Sequence, residues 1–316
     1  MKKNIPHPLL PNRTILLDGG MGRELRFRGV EIPKTIRSAN GLLGAPNVVR
    51  QIHMDYILAG ADIITTNTYA LVRTDLAKTG IESLFEELNM LAGKLAQRAR
   101  EASGRSVLIA GSLPPLRGSY RPDLVGPFEE IEYLYREQAN LLAPLVDLLL
   151  CETMSSGAEA RAAAHAACST GKPVWVSWTL HEDRSGRLRS GETITEAAAA
   201  IDDLPVSAFL LNCSAPESIT AGMQELKSLG AHWFGGYANT FQPIARDWLI
   251  SGDKDTDGFL SLRYDLEPAQ YSEHAQRWIA AGARVIGGCC GTRPAHIARL
   301  REIISLSSIS KKSPPT

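Results

Sequence analysis

A single-domain (β/α)8 barrel is the fold class this sequence predicts, and three observations predict it. Eight short apolar runs recur along the chain, stretches of helical period lie between them, and the runs are apolar throughout rather than alternating. A strand with one wet face alternates, whereas a strand apolar on both faces belongs to a parallel sheet covered by helices. Eight such units in 316 residues suit an α/β barrel closed as one unit.

In order, the runs are Thr14–Leu17, Asp62–Thr65, Ser106–Ala110, Val146–Leu150, Pro173–Trp178, Ala208–Leu211, His232–Gly235 and Arg284–Ile286. Between them Ala45–Ala59 carries Val49, Ile52 and Tyr56 at helical spacing, and Pro127–Ala143 does the same with Phe128, Ile131, Leu134 and Leu141. Ser83–Arg100 and Ser155–Ser169 read as helices, and Pro294–Ile304 begins with a proline suited to a first helical turn. The barrel domain therefore spans 14–304, after an N-terminal extension over 1–13 and before a flexible Ser/Lys/Pro-rich tail over 305–316. A doubly wound open sheet is the alternative. Gly20-Met21-Gly22 would be its dinucleotide-binding turn, but Leu25 stands where the third glycine belongs.

Active sites of such barrels lie at the carboxyl ends of the strands. The residues there are Asp18, Thr66-Asn67, Ser112, Glu152, Thr179, Asn212-Cys213, Asn239 and Cys289-Cys290. Polar residues at strand ends can mean only that a loop begins, and Ser112 and Thr179 are read that way. Asp18 is different, because glycines at 19, 20 and 22 permit close backbone approach, suiting it to a substrate's ammonium group or its neighbours' amides to a carboxylate. It could instead cap the next helix. Glu152 follows Leu148-Leu149-Leu150-Cys151, so its charge lies beside apolar chain and needs a cation or solvent.

Cys213, Cys289 and Cys290 at the ends of two strands suggest a metal. Zinc accepts sulfur ligands in a tetrahedron, and three protein ligands leave a fourth position open, the catalytic pattern. Adjacent strand residues face opposite ways, but the glycines around Cys289-Cys290 allow the irregular backbone that would aim both sulfurs at one ion. The alternative is that the pair are small buried hydrophobes. Cys151 and Cys168 read as packing residues, and His53 and His165, on predicted helices, as makers of ordinary hydrogen bonds. Asp253–Gly258 is similar to the start of a calcium loop, but Tyr264 replaces the final glutamate, so a surface loop over the barrel mouth is expected.

The formal net charge is zero and no basic run exceeds Lys311-Lys312, so the balance points to no nucleic acid and no anionic membrane, and to a small-molecule partner. The first residues are broken by prolines and lack the apolar core of a signal peptide, and no apolar run approaches the ~18 residues of a spanning helix. Thiols that must stay reduced to bind metal favour the cytoplasm.

Taken together, Leu17-Asp18-Gly19-Gly20, the segment Gly60–Tyr69, Glu152-Thr153, Asn212-Cys213-Ser214 and Gly287-Gly288-Cys289-Cys290-Gly291-Thr292 resemble the homocysteine S-methyltransferase family, from about Thr14 to Ile304. The resemblance implies a zinc (β/α)8 barrel in which Cys213, Cys289 and Cys290 hold Zn2+ and activate the substrate thiol. It implies that Asp18, Gly19 and Glu152, with Thr66, contact homocysteine, and that methyl transfer from a sulfonium donor, S-methylmethionine or S-adenosylmethionine, gives methionine.

The chain departs from the family on the donor side. Arg37 stands where members often carry tryptophan, and a guanidinium facing a sulfonium repels it where an aromatic face attracts it. Ala70 replaces a tyrosine of the betaine-using relatives, which argues against betaine, and Tyr237-Ala238-Asn239 replaces a common Tyr-Pro-Asn. Two other readings stay open: a zinc-thiolate methyltransferase with a different donor or thiol or selenol acceptor, and a non-catalytic zinc or redox-responsive thiol protein.

Overall fold

A sheet apolar on both faces must be covered on both, and here it closes on itself. The computed structural model describes residues 13–33, 35–242 and 261–310, which carry eight parallel strands: β1 (Ile15–Leu16), β2 (Ile63–Thr65), β3 (Leu108–Leu113), β4 (Leu148–Met154), β5 (Val174–Trp178), β6 (Val206–Asn212), β7 (Trp233–Ala238) and β8 (Val285–Gly288). Each pairs with its sequence neighbour from β2 to β8, and β1 pairs with β8. A parallel bridge between Leu17 and Ile63 joins β1 to β2 and closes the (β/α)8 barrel. The doubly wound alternative is excluded by that order.

Alternate strand residues fall into two buried clusters. Ile15, Leu17, Ile63, Ala110, Leu148, Leu150, Trp175, Ala208, Leu210, Trp233 and Val285 form the inner cluster. Leu16, Ile64, Ile109, Leu149, Val176, Phe209, Leu211 and Ile286 pack outward against the helices. Both faces are dry, which is why the sequence runs are continuous rather than alternating. Cys151 lies with the outward set and is fully buried, and Cys168 packs against it, the packing roles their positions suggested.

The helices follow from local signals. Helix α3 (Pro46–Ala59) begins with proline and ends at Gly60, whose φ of +106° disfavours a side chain. Helices α5 (Phe85–Ser103) and α6 (Phe128–Leu142) open on paired glutamates that complement the helix dipole. In α7 (Gly157–Cys168) the Ser156 side chain caps the Glu159 amide, and α8 (Ile194–Ala199) carries a full Thr193–Glu196 capping box. The outer layer also contains α1 (Met21–Phe27), α2 (Asn40–Gly44), α4 (Arg73–Ala77), α9 (Pro216–Ser228) and α10 (Pro268–Ala281), which the apolar spacing alone did not single out. Helix α11 (Pro294–Ser310) continues past Ile304, so the segment read as tail begins as helix. Residues 253–258, 1–12 and 311–316 lie outside the described residues.

Candidate active site

Following the inward positions up the barrel leads to polar side chains at its carboxyl end. On β3, Ser112 shares the face of Ala110; on β4, Glu152 follows Leu148 and Leu150; on β5, Ser177 follows Trp175; on β6, Asn212 follows Leu210. Ser112 Oγ donates to Glu152 Oε1 at 2.5 Å and Tyr237 Oη donates to Oε2 at 3.1 Å. Ser112 is therefore part of the site and not merely the start of a loop, a role its inward parity could have signalled. Thr179, the other residue read as a loop start, donates to the Cys213 carbonyl at 3.2 Å.

Three departures from regular strand geometry shape the site. Between Cys151 and Met154 the pairing of β4 with β5 shifts register, and Thr153 takes a φ of +65°. Such a bulge re-aims side chains and recurs beside active sites. Asn212 holds it, accepting from Thr153 N at 2.9 Å and Ser177 Oγ at 2.7 Å and donating to Thr153 Oγ1 at 2.9 Å. At the end of β6, Cys213 takes a φ of +52°, uncommon for a residue with a side chain. At the end of β8, Gly291, with φ +87°, closes a turn in which Thr292 Oγ1 donates to the Cys289 carbonyl at 2.7 Å.

These turns bring the three thiols together. All three sulfurs lie within 4.8 Å of one another, and Cys213 Sγ is 3.9 Å from Cys290 Sγ. A tetrahedral ion with metal–sulfur bonds of ~2.3 Å separates its ligands by about 3.8 Å. The donor set therefore fits a thiophilic metal ion, and among the described residues no other such cluster occurs. Hydrogen bonds from Cys213 and Cys289 hold the Cys290 thiol well below its ordinary range, while the same contacts and burial push Cys289 up.

The two expected carboxylates flank the cluster. Asp18 accepts from Thr65 N at 2.8 Å and Thr65 Oγ1 at 3.1 Å, and α1 begins with Gly20 as its cap, so Asp18 is not a helix cap. Burial pushes Asp18 up to about 8, against the lowering by Thr65, and pushes Glu152 up to about 7, against Ser112 and Tyr237. Neither is ion-paired among the described residues. Two buried acids without an ion pair form a site that an ammonium group would suit.

Asp18, Gly19, Thr66, Glu152, Cys213, Cys289 and Cys290 all line one cavity of about 220 Å3. Gly19 leaves no room for a side chain, since a Cβ there would lie 2.7 Å from Thr292 Oγ1 and 2.9 Å from the Tyr56 ring. Thr66 is buried, its hydroxyl sharing a hydrogen bond with Thr68 at 2.9 Å and accepting from Ser112 N at 3.1 Å. Arg23, Arg37, Tyr69, Tyr120, Tyr237 and Phe241 also face the cavity, and no short-range pattern marked them as a set. Arg37 is not a bare charge, because Asp75 lies 3.4 Å from its Nη2 and the Tyr69 ring 5.5 Å from its guanidinium carbon. His165 bonds Glu132 at 2.9 Å as expected, whereas His53 is fully buried with neither nitrogen partnered, and burial lowers it to about 4.

A family model described as homocysteine S-methyltransferase matches residues 15–304. A homocysteine S-methyltransferase of Escherichia coli K12 is 32% identical over 324 residues, covering 95% of this chain and 99% of its own length. The crystal structure of the E. coli homocysteine methyltransferase MmuM in a metallated form is similar with a TM-score of 0.78 and 31% identity, over 94% of this chain and 99% of that one. An oxidized form of the same enzyme gives a TM-score of 0.76 at 30% identity, over 92% and 96%.

Proposed function

The chain belongs to the homocysteine S-methyltransferase family, methyltransferases acting on homocysteine, and from that premise we propose the rest of its chemistry. Cys213, Cys289 and Cys290 hold Zn2+, Asp18, Gly19, Glu152 and Thr66 receive the amino-acid end of L-homocysteine, and the donor is a sulfonium, S-methylmethionine ahead of S-adenosylmethionine. The observation that carries this reading is the meeting of three thiols and two uncompensated carboxylates in one cavity.

Bound by the three sulfurs, zinc would keep the acceptor thiol ionised at neutral pH and leave a fourth position for it. Asp18 and Glu152 bind the ammonium as carboxylates, and Ser112, Tyr237 and Thr65 hold their oxygens in place. Backbone at Gly19 can approach the substrate closely. Displacement at a sulfonium methyl expels a neutral thioether, so the chain needs no general acid, and orientation supplies the remaining acceleration. Thiols serving in this way must stay reduced, which fits the cytoplasm.

Arg37 motivates a second reading, in which the same centre serves another donor. Its pairing with Asp75 and contact with Tyr69 screen its charge, and this favours the sulfonium reading. Replacement by tryptophan exchanges like charge for a cation–π contact worth about 0.5–1 kcal/mol, so Arg37→Trp should raise kcat/KM for sulfonium donors about two- to fivefold. Unchanged kinetics would mean that Arg37 does not face the donor.

The direct test is to assay purified protein for zinc and then incubate it with homocysteine and a panel of methyl donors while methionine is measured. Stoichiometric zinc and methionine formed from S-methylmethionine are expected; no product from any sulfonium sinks the reading. Cys290→Ala should lose both metal and turnover, and full zinc retention in that variant would contradict the ligand assignment.

A further inference from the structure

Tyr120 reaches the thiol cluster from the loop after β3. Its Oη lies 2.9 Å from Cys213 Sγ, and its backbone sits in the left-handed region at φ +66°. A bulky residue keeps that conformation only where its surroundings impose it. Next to it, Ser119 Oγ is tied to Tyr69 Oη at 2.6 Å, and the Arg189 guanidinium carbon lies 4.8 Å from the centroid of the Tyr120 ring. Arg189 pairs with Glu182 at 3.3 Å, with side chains only 3% and 8% exposed. Glu182 in turn accepts from the Ala215 amide at 2.9 Å and from Ser218 Oγ at 3.3 Å. Ala215 is the cap of α9, just beyond Cys213. The contacts make a closed circuit, from the segment after Cys213 through Glu182, Arg189 and Tyr120 back to the Cys213 sulfur.

We propose that Arg189 is a positioning residue that holds the Tyr120 phenol on Cys213, so that this sulfur carries a hydroxyl hydrogen bond that lowers its charge. The proposal rests on the reading of the three thiols as metal ligands. A metal-bound thiolate can only accept, so across the 2.9 Å contact the Tyr120 hydroxyl donates. Groups that hydrogen-bond a metal ligand tune the charge it gives to the metal. Three thiolates make a net-negative centre, and this bond offsets part of that charge at one corner. The planar guanidinium is suited to lie on the ring while pairing with Glu182, and a lysine ammonium is not.

The test uses the cobalt-substituted holoprotein and reads its thiolate-to-metal charge-transfer band beside thermal unfolding. Tyr120→Phe removes only the hydroxyl, raises the energy of the sulfur electrons and should move the band to longer wavelength with little change in Tm. Arg189→Lys, which keeps the charge opposite Glu182, should move it the same way and add nothing further in a Tyr120→Phe background. A merely structural arginine would not show that dependence on a distant hydroxyl. Should Arg189→Lys fold poorly, Glu182→Gln tests the same link and should give the same shift. A band that Tyr120→Phe leaves in place, or an Arg189 effect that persists without the hydroxyl, overturns the proposal while leaving the metal centre intact. Absence of any thiolate band in the parent protein overturns the metal-ligand reading itself, and this proposal with it.

Discussion

Glu152 is a buried carboxylate with two hydroxyl donors and no cation among the described residues. Its ordinary value of 4.5 is raised to about 7 chiefly by burial, so the folded, ligand-free protein binds a proton there that the unfolded chain has already released. Stability from this group therefore falls as pH rises from about 4.5 through about 7. Glu152→Gln removes the effect, and its melting temperature relative to the parent should climb between pH 5 and pH 8; a constant difference would mean that Glu152 is ionised throughout. The same variant cannot pair with an ammonium, and losing a charged hydrogen bond predicts a 10- to 100-fold drop in kcat/KM for homocysteine with zinc content unchanged. For the parent, acceptor binding should weaken below about pH 7 to 8, where Glu152 and Asp18 take up protons.

At the scale of elements, the site is made where strands stop being regular. Glu152 keeps the inward parity of Leu148 and Leu150, and the register shift in β4 comes just after it at Thr153; the left-handed turn after β6 points Cys213 back toward β8, and the turn at Gly291 does the same for the cysteine pair. Asn212 connects the first two, since its amide satisfies Thr153 and Ser177 while its backbone leads into Cys213. Asn212→Ala leaves Thr153 N without a partner inside the barrel, at a cost of about 1–3 kcal/mol. A lower melting temperature together with faster loss of metal to a chelator is the expected outcome. Loss of stability with unaltered metal retention would show that the bulge and the cysteine turn are independent.

Over the whole molecule, a metal held by Cys213, Cys289 and Cys290 would tie β6 to β8. Metal at 100 times its dissociation constant adds about 2.7 kcal/mol to a protein that binds it only when folded. Metal-free protein should melt below the zinc form, and Cys290→Ala should erase the gap; equal melting of both forms of the parent would argue against a folded-state site. The barrel itself was legible in the chain, because eight runs apolar on both faces have few other ways to be covered, and every run became a strand. Helices α3, α6 and α7 were read from the chain, whereas α9 and α10 were not, although each begins with a proline and α10 ends at a left-handed Gly282. Of the site, the thiols and Asp18, Gly19, Thr66 and Glu152 were visible as polar or small residues where apolar runs end. Ser112 was visible too, and its parity with Ala110 could have set it apart from the start of a loop, but only the fold brings its hydroxyl to Glu152 on the neighbouring strand. Tyr120, Arg189 and Glu182 carry no local signal, since their meaning comes from contacts between segments remote in sequence. Periodicity is a property of neighbours along the chain, so the sequence by itself determined the strands and the residues at their ends. Which of those residues share a cavity, and which hydroxyl touches which carboxylate or sulfur, depends on long-range closure and on three irregular turns, and only the tertiary structure decided it.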